Sequence, residues 1–317
     1  VSFFPQLVAG PIERAKNLLP QFIHRNPPKY TCFSKGIKLI IIGFFKKMVV
    51  ADNLAVFADR VFGNPSHYEG WATAVAVVFF AFQIYCDFSG YSDIAIGTAK
   101  LMNIDLMKNF NTPYFSQNLS EFWRRWHISL STWFRDYVYI PLGGSRGSTW
   151  MKLRNTFVIF LLSGFWHGAN WTFVVWGAYH GLFLVFERIT GLRTLPDNRL
   201  RGLRRLVTLT IVVCGWVIFR CDDLPHATGY FSAMFSLDVA GPAPWLTGMF
   251  DLKNTVLLLC AATALILPSG TLEADGQLQK RKLLPTAAGI VVFAVLFPWC
   301  VVIMASGSLN PFIYYRF

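Results

Sequence analysis

Residues 156–186 are apolar almost throughout, yet the run is cut in its middle by Gly164-Phe165-Trp166-His167-Gly168-Ala169-Asn170. Basic residues crowd both flanks. Lys100, Lys108, Arg124, Arg125, Arg135, Arg146, Lys152 and Arg154 precede it, and Arg188, Arg193, Arg199, Arg201, Arg204 and Arg205 follow it. Loops rich in Lys and Arg stay on the cytoplasmic side of a membrane. A run with both ends on one side does not cross once. Two half-length apolar pieces that enter, turn at membrane depth and return fit better, so a re-entrant region is expected at about 156–186. Irregular backbone at that depth is tolerated only where it is buried in protein or lines a cavity. The break therefore points to a site.

Other apolar stretches lie at 33–57, 71–96, 206–219, 255–267 and 286–305. A spanning helix needs about 20 largely apolar residues, so the shorter stretches are expected to extend into their flanks. Charged residues are only 15% of the 317, against roughly 25% in a globular domain. The expected fold is therefore all-α and polytopic: one membrane domain over 1–317, with no internal repeat and no separate soluble domain. The net charge of +12 is assigned to cytoplasmic loops rather than to nucleic acid, since no binding module is visible. Segment 221–251, with Asp222, Asp223, Asp238, Asp251 and no Lys or Arg, reads as outside. Six cysteines without a C-x-x-C pair predict neither a disulfide framework nor a metal site. The opening Val1-Ser2-Phe3-Phe4-Pro5 has no charged n-region. It reads as an interior start, with an N-terminal part expected upstream.

Two histidines stand out. In the segment 118–140, Trp123, Trp126, His127, Leu130, Trp133, Phe134 and Tyr137 recur at helical spacing. Asn118 with Glu121 resembles a capping box, and Pro141-Leu142-Gly143-Gly144 ends the run. The pattern predicts one amphipathic helix over about 119–140, lying near the cytoplasmic membrane surface. His127 is the one ionisable group on its apolar face; the alternative to a functional role is a buried histidine bonded to a backbone carbonyl. His167 sits in the break, between glycines and tryptophans, where an ionisable group is a functional hypothesis by default. An imidazole kept from water stays neutral, the form a general base needs.

Weaker signals are read structurally. Gly164/Gly168 and Gly177/Gly181 are G-x-x-x-G pairs, best taken as close helix packing. Asp87 and Asp93 are expected in helix-holding ion pairs with basic residues such as Arg124 or Arg125. Whether His180 meets His167 is not legible. The arginine run is a solvated face or a receptor for the phosphates of an acyl carrier. No G-x-S-x-G elbow, Walker A or H-E-x-x-H motif occurs.

Several stretches together resemble the membrane-bound O-acyltransferases, and among them the bacterial alginate O-acetylation branch more than the D-alanyl transfer branch. They are Phe4-Pro-Gln-Leu-Val-Ala-Gly-Pro-Ile12, Tyr85-Cys-Asp-Phe-Ser-Gly-Tyr-Ser-Asp93, Asn109-Phe-Asn-Thr-Pro-Tyr114, Phe122-Trp-Arg-Arg-Trp-His-Ile-Ser-Leu130, Arg135-Asp136 to Gly144, Ser163 to Asn170, and Pro311-Phe-Ile-Tyr-Tyr-Arg-Phe317. The resemblance implies a helical membrane fold with tilted and broken helices, preceded by further N-terminal helices. It implies a multi-pass protein of the bacterial inner (cytoplasmic) membrane. It maps the family's two functional histidines onto His167, catalytic and deep in the membrane, and His127, toward the cytoplasm.

The implied reaction is O-acyl transfer. Acetyl would pass from a cytoplasmic thioester, acetyl-CoA or an acyl carrier, to hydroxyls of an exported polysaccharide or to a partner protein that hands it on. His167 would take the proton of the acceptor hydroxyl. Asn170 or a backbone N–H near the break would meet the developing oxyanion. Trp126, Arg124, Arg125, Trp166, Arg135 and Asp136 are the further candidates for holding the donor. No bound cofactor and no metal are expected. The expected partners are the lipid bilayer, the thioester donor and extracytoplasmic polysaccharide-acetylation proteins, with no nucleic acid. D-alanyl, peptidoglycan or cellulose acylation stay open within the family. A transporter, whose broken helices also carry mid-depth charges, or a non-catalytic scaffold are the alternatives outside it.

Overall fold

The computed structural model describes residues 3–7, 9–24, 27, 29–68, 70–192, 200–236, 255–256, 259, 294 and 296–305. The apolar stretch expected at 255–267 and the first half of that at 286–305 fall almost wholly outside them. Every regular element among the described residues is helical. The chain forms two compact units, one of residues 1–54, 82–112 and 252–316, the other of residues 55–81 and 113–251.

In the first unit, α1 (Ala15–Ile23) leads to α2 (Tyr30–Phe44), which runs on through a π-helical segment, Phe45–Ala51, into the start of α3 (Asp52–Gly63), whose residues from Ala55 on belong to the second unit. The next helix, α4 (Gly70–Leu101), has 32 residues and passes through both units. Its length is about 48 Å at 1.5 Å per residue. Leu39, Ile96, Ala99, Ile104 and Leu106 form one core cluster of this unit, and Phe3 and Leu18 pack on it.

Glycines set the contact between α2 and α4. A Cβ on Gly36 would lie 2.7 Å from the Gly97 carbonyl oxygen, and one on Gly97 would lie 2.7 Å from that of Gly36. Gly43 and Gly90 face each other in the same way. The backbones touch because nothing stands between them.

Beside this contact, the π-helical turn brings two consecutive lysines to acidic partners. Lys46 Nζ donates to Asp93 Oδ2 at 2.6 Å, both residues being buried. Lys47 lies 2.7 Å from Asp52 and 3.1 Å from Asp87. Sequence reasoning expected helix-holding ion pairs at Asp87 and Asp93 but named Arg124 and Arg125, and it missed these lysines. A wider turn (i→i+5) changes the facing of successive side chains, and periodicity does not register that. A short C-terminal helix, α11 in chain order (Phe297–Ala305), puts Trp299 edge-on to Phe45 at 5.8 Å.

The second unit holds α5 (Leu119–Arg125), α6 (Ile128–Phe134), α7 (Thr149–His167), α8 (Trp171–Thr190), α9 (Arg201–Arg220) and α10 (Leu224–Met234). The single helix expected over 119–140 is corrected. It is broken at Trp126–His127, where His127 takes a left-handed backbone (φ 43°, ψ 54°), and it ends in a π-helical turn, Arg135–Tyr139. One left-handed residue reverses the chain locally without disturbing the apolar spacing on either side, so the pattern in the sequence shows no break. The expected start and stop are as read. Asn118 Oδ1 accepts from the Glu121 N–H at 2.7 Å, and Gly143 and Gly144 leave the helix at φ 101° and 55°.

The α7–α8 hairpin turns at Gly168-Ala169-Asn170. Gly164 lies against the Phe173 carbonyl and Gly177 against that of Phe160, so these glycines serve close packing, as read from the sequence. The two arms are longer than the expected half-length pieces, at 19 and 20 residues. Ser148 caps α7 about two turns before the apolar run starts, and α8 continues to Gly191, which is left-handed at φ 72°. By length and apolarity, α4 and α9 are able to cross a membrane. The apolar window of α4 is 78% buried within the protein and that of α9 only 39%, so α9 keeps most of its apolar surface for an outside apolar medium.

Candidate functional site

A cavity of about 240 Å³ lies in the second unit between α5, α6, α7 and α8. One wall is a single stripe of α7: Thr156, Ile159, Phe160, Ser163 and His167. Residues at i, i+3, i+4, i+7 and i+11 share one face, so the stripe runs about 16 Å along the axis to His167 at the last turn. The opposite wall is made by Ser120, Trp123, Arg124, Trp126, His127, Leu130, Ser131 and Phe134, and Leu184 of α8 closes it. The lining is mostly apolar, with Arg124, two imidazoles and the hydroxyls of Ser120, Ser131, Thr156 and Ser163 placed on it.

The break at His127 has a local cause. α5 ends with the Trp126 N–H on the Phe122 carbonyl, and the His127 carbonyl accepts from the Ser131 N–H to begin the next turn. Histidine is one of the non-glycine residues enriched in this conformation. The reversal carries His127 into the interior, with 6% of its surface exposed. Burial holds its imidazole well below the usual histidine range, and nearby His167 disfavours its protonation further. Its neighbour Trp126 stacks on Phe122 at 5.6 Å and meets Trp216 at 4.9 Å. Trp216 in turn donates to Tyr114 Oη at 3.2 Å, which donates to the Ala81 carbonyl at 2.7 Å. The floor under the break is thus rigid aromatic packing.

His167 ends α7 among aromatic rings, with Trp166 at 5.0 Å, Trp176 at 5.1 Å, Phe219 at 5.3 Å and Phe173 at 6.4 Å. His180 packs on the same Trp176 ring at 5.2 Å and on Trp123 at 4.9 Å, but it does not line the cavity. The two histidines of the hairpin therefore share one tryptophan.

Of the other residues read from the sequence, Arg124 and Trp126 line the cavity, while Arg125, Arg135, Asp136, Trp166 and Asn170 do not. Arg125 pairs with Glu121 at 2.6 Å, and Arg135 pairs with Asp136 at 2.8 Å. Trp166 is half exposed, its ring 6.1 Å from that of His127. Asn170, expected among the oxyanion donors, is turned to another task. Its Oδ1 accepts from the Thr172 N–H to cap α8, and its Nδ2 donates to the Asp222 carbonyl. Sequence reasoning missed Ser120, Ser131, Thr156, Ser163 and Leu184. The α7 stripe carried a usable signal, since its polar residues fall on the same face as His167. Among the described residues no three His, Cys, Asp or Glu side chains converge as a metal site.

Chemically, this is a small, mostly apolar pocket that is open on one side, with Arg124 exposed at its wall. Two imidazoles share it, and a guanidinium sits on its wall. It suits removal of a proton from an alcohol and capture of an anionic ligand end.

The model of the MBOAT, membrane-bound O-acyltransferase, family matches residues 1–221. The chain is 49% identical over 238 residues to the "Probable alginate O-acetylase AlgI" of Pseudomonas aeruginosa, covering 74% of this chain and 45% of that protein. It is 42% identical over 245 residues to the peptidoglycan O-acetyltransferase of Helicobacter pylori, covering 75% and 46%. It is 29% identical over 254 residues to the teichoic acid D-alanyltransferase of Bacillus subtilis, covering 71% and 61%. The chain spans about half the length of the first two. It belongs to the membrane-bound O-acyltransferase family.

Proposed function

We propose that this chain is the catalytic part of a multi-pass inner-membrane O-acetyltransferase acting on an exported polysaccharide of the alginate kind. The carrying observation is that His127 and His167, 40 residues apart in sequence, line one cavity with Arg124 on its wall. The higher identity to the two O-acetylating relatives than to the D-alanyl one supports acetyl as the group moved.

In this reading a thioester donor, acetyl-CoA or an acyl carrier, approaches from the cytoplasm, and Arg124 meets its phosphate. The acceptor is a hydroxyl of the polysaccharide or of a partner protein that passes the group on. His167 takes the hydroxyl proton, the oxygen attacks the thioester carbonyl, a C–O bond forms and the C–S bond breaks. The leaving thiolate recovers the proton from His167. His127, neutral through burial, holds the donor in line. A positioned base contributes about 10²–10⁴-fold.

The test uses the full-length protein in membranes, with labelled acetyl-CoA. Acyl release and polysaccharide acetylation are compared for wild type, His167→Ala and His127→Ala at matched folded amounts. A loss of at least about 10²-fold in His167→Ala is expected. Unchanged acetylation in both variants would remove the chemistry and leave a transporter or scaffold.

A further inference from the structure

We propose that Glu187, at the far end of α8, is a positioning residue for the His127 wall of the cavity; the proposal rests on reading that cavity as the acyl-transfer site. α5 has only seven residues, too few for a helix to hold by itself. The N–H groups of its first three residues have no partner within the helix, and the structure supplies one for each. The Glu121 N–H reaches the Asn118 side chain. The remaining two come from another helix. Glu187 Oε1 accepts from the Leu119 N–H, and Oε2 accepts from the Ser120 N–H at 3.1 Å and from Ser120 Oγ at 2.9 Å.

This carboxylate is buried, with 8% of the residue exposed, and no lysine or arginine pairs with it among the described residues. Its charge is met by the positive end of α5 and one hydroxyl, the arrangement a helix N-terminus favours. The clamp also runs along the rim of the cavity. Ser120 lines it, and so does Leu184, one turn before Glu187 on α8. Everything α5 presents to the cavity, Trp123, Arg124, Trp126 and His127, hangs from this clamped start. The left-handed His127 persists only while its surroundings over-determine it. Aromatic packing at Trp126 fixes one end of α5, and Glu187 fixes the other. A displacement of about 1 Å at a reacting group costs up to roughly 10²-fold in rate, so loosening the clamp lowers turnover steeply, while donor affinity, to which Arg124 and His127 contribute, changes less.

The experiment uses the full-length protein in nanodiscs with Glu187→Gln, Glu187→Asp and Ser120→Ala. The glutamine keeps the shape but offers one acceptor oxygen, so one backbone N–H loses its partner. Two readouts are taken: kcat and KM for acetyl-CoA per folded molecule, and the rate at which diethyl pyrocarbonate modifies His127, followed by mass spectrometry. For Glu187→Gln, kcat is expected to fall about 10-fold or more with KM within about threefold, and His127 labelling to rise at least about fivefold. Glu187→Asp, shorter but still charged, is expected in between, and Ser120→Ala is expected to lose about two- to fivefold in kcat. Folded Glu187→Gln with wild-type kcat and wild-type labelling overturns the proposal. If Glu187→Gln does not accumulate, unchanged kcat and labelling in Ser120→Ala overturn it. If wild type and His167→Ala release acyl groups equally, the acyl-transfer reading fails, and the labelling rate alone then decides whether Glu187 holds His127.

Discussion

Replacing Asp93 by Asn isolates the energetics of the buried lysine pair. The Lys46–Asp93 contact is 2.6 Å long, and the two side chains are 5% and 2% exposed. At an effective dielectric of about 20 the Coulomb attraction at that distance is about 6 kcal/mol. Desolvating both groups offsets most of this, so the intact pair contributes little net stability. Removing one charge is a different matter, because it strands the Lys46 ammonium in the interior. The cost is about 3–5 kcal/mol, a hundredfold or more in the folded-to-unfolded ratio. Lys46→Met in the same chain removes the stranded charge. The double variant Lys46→Met/Asp93→Asn is therefore expected to be more stable than Asp93→Asn alone, with a coupling of about 2 kcal/mol or more. The assay is reversible unfolding of the four proteins of the cycle in detergent micelles, together with acetyl transfer per folded molecule, which should stay near wild type since neither residue lines the cavity. Additivity of the two single changes within about 0.5 kcal/mol would refute the idea that the pair acts as a unit.

Two further outcomes follow from the site. Because the folded-state pKa of His127 is depressed by burial and by His167, the unfolded chain binds a proton below pH ~6.5 that the folded chain refuses. Stability should therefore be fully present above that pH and decline below it, by up to about 1.4 kcal/mol per pH unit. His127→Gln should flatten the slope; a denaturation series from pH 7.5 to 5 with identical slopes in both proteins would count against the burial argument. Asn170→Ala should lower stability by about 1 kcal/mol through loss of the α8 cap. Its kcat should drop less than about tenfold, whereas removing an oxyanion donor would cost 10²–10³-fold, so single-turnover kinetics separate the two roles.

What was legible in the sequence, and what was not, divides along a physical line. The break within 164–170 and the Asn118 cap are local, each set by residues within a few positions, and the glycine packing of α7 on α8 joins the two arms of one short hairpin. His127 and His167 were legible as candidates because an ionisable group in an apolar run is costly wherever it ends up. The reversal at His127 was not, because it leaves the apolar spacing intact while changing one residue's φ. Lys46 meets Asp93 across 47 residues and Glu187 meets Ser120 across 67, separations at which composition carries no pairing information. Asn170 was assigned by its place beside His167. In the structure its amide caps α8, the nearer use for an asparagine just before a helix, and it does not line the cavity.

The backbone contacts at Gly36/Gly97 and Gly43/Gly90 behave as a pair of detents. Gly36 and Gly43 are seven residues apart, as are Gly90 and Gly97. Sliding α2 along α4 by anything short of that repeat would drive a side chain into a carbonyl. The nearest alternative seating is about 10.5 Å away, far beyond a thermal displacement, and it would pull Lys46 off Asp93. Within that unit, α2 and α4 thus form a fixed frame, and motion during turnover must come from elements whose contacts are side chain against side chain.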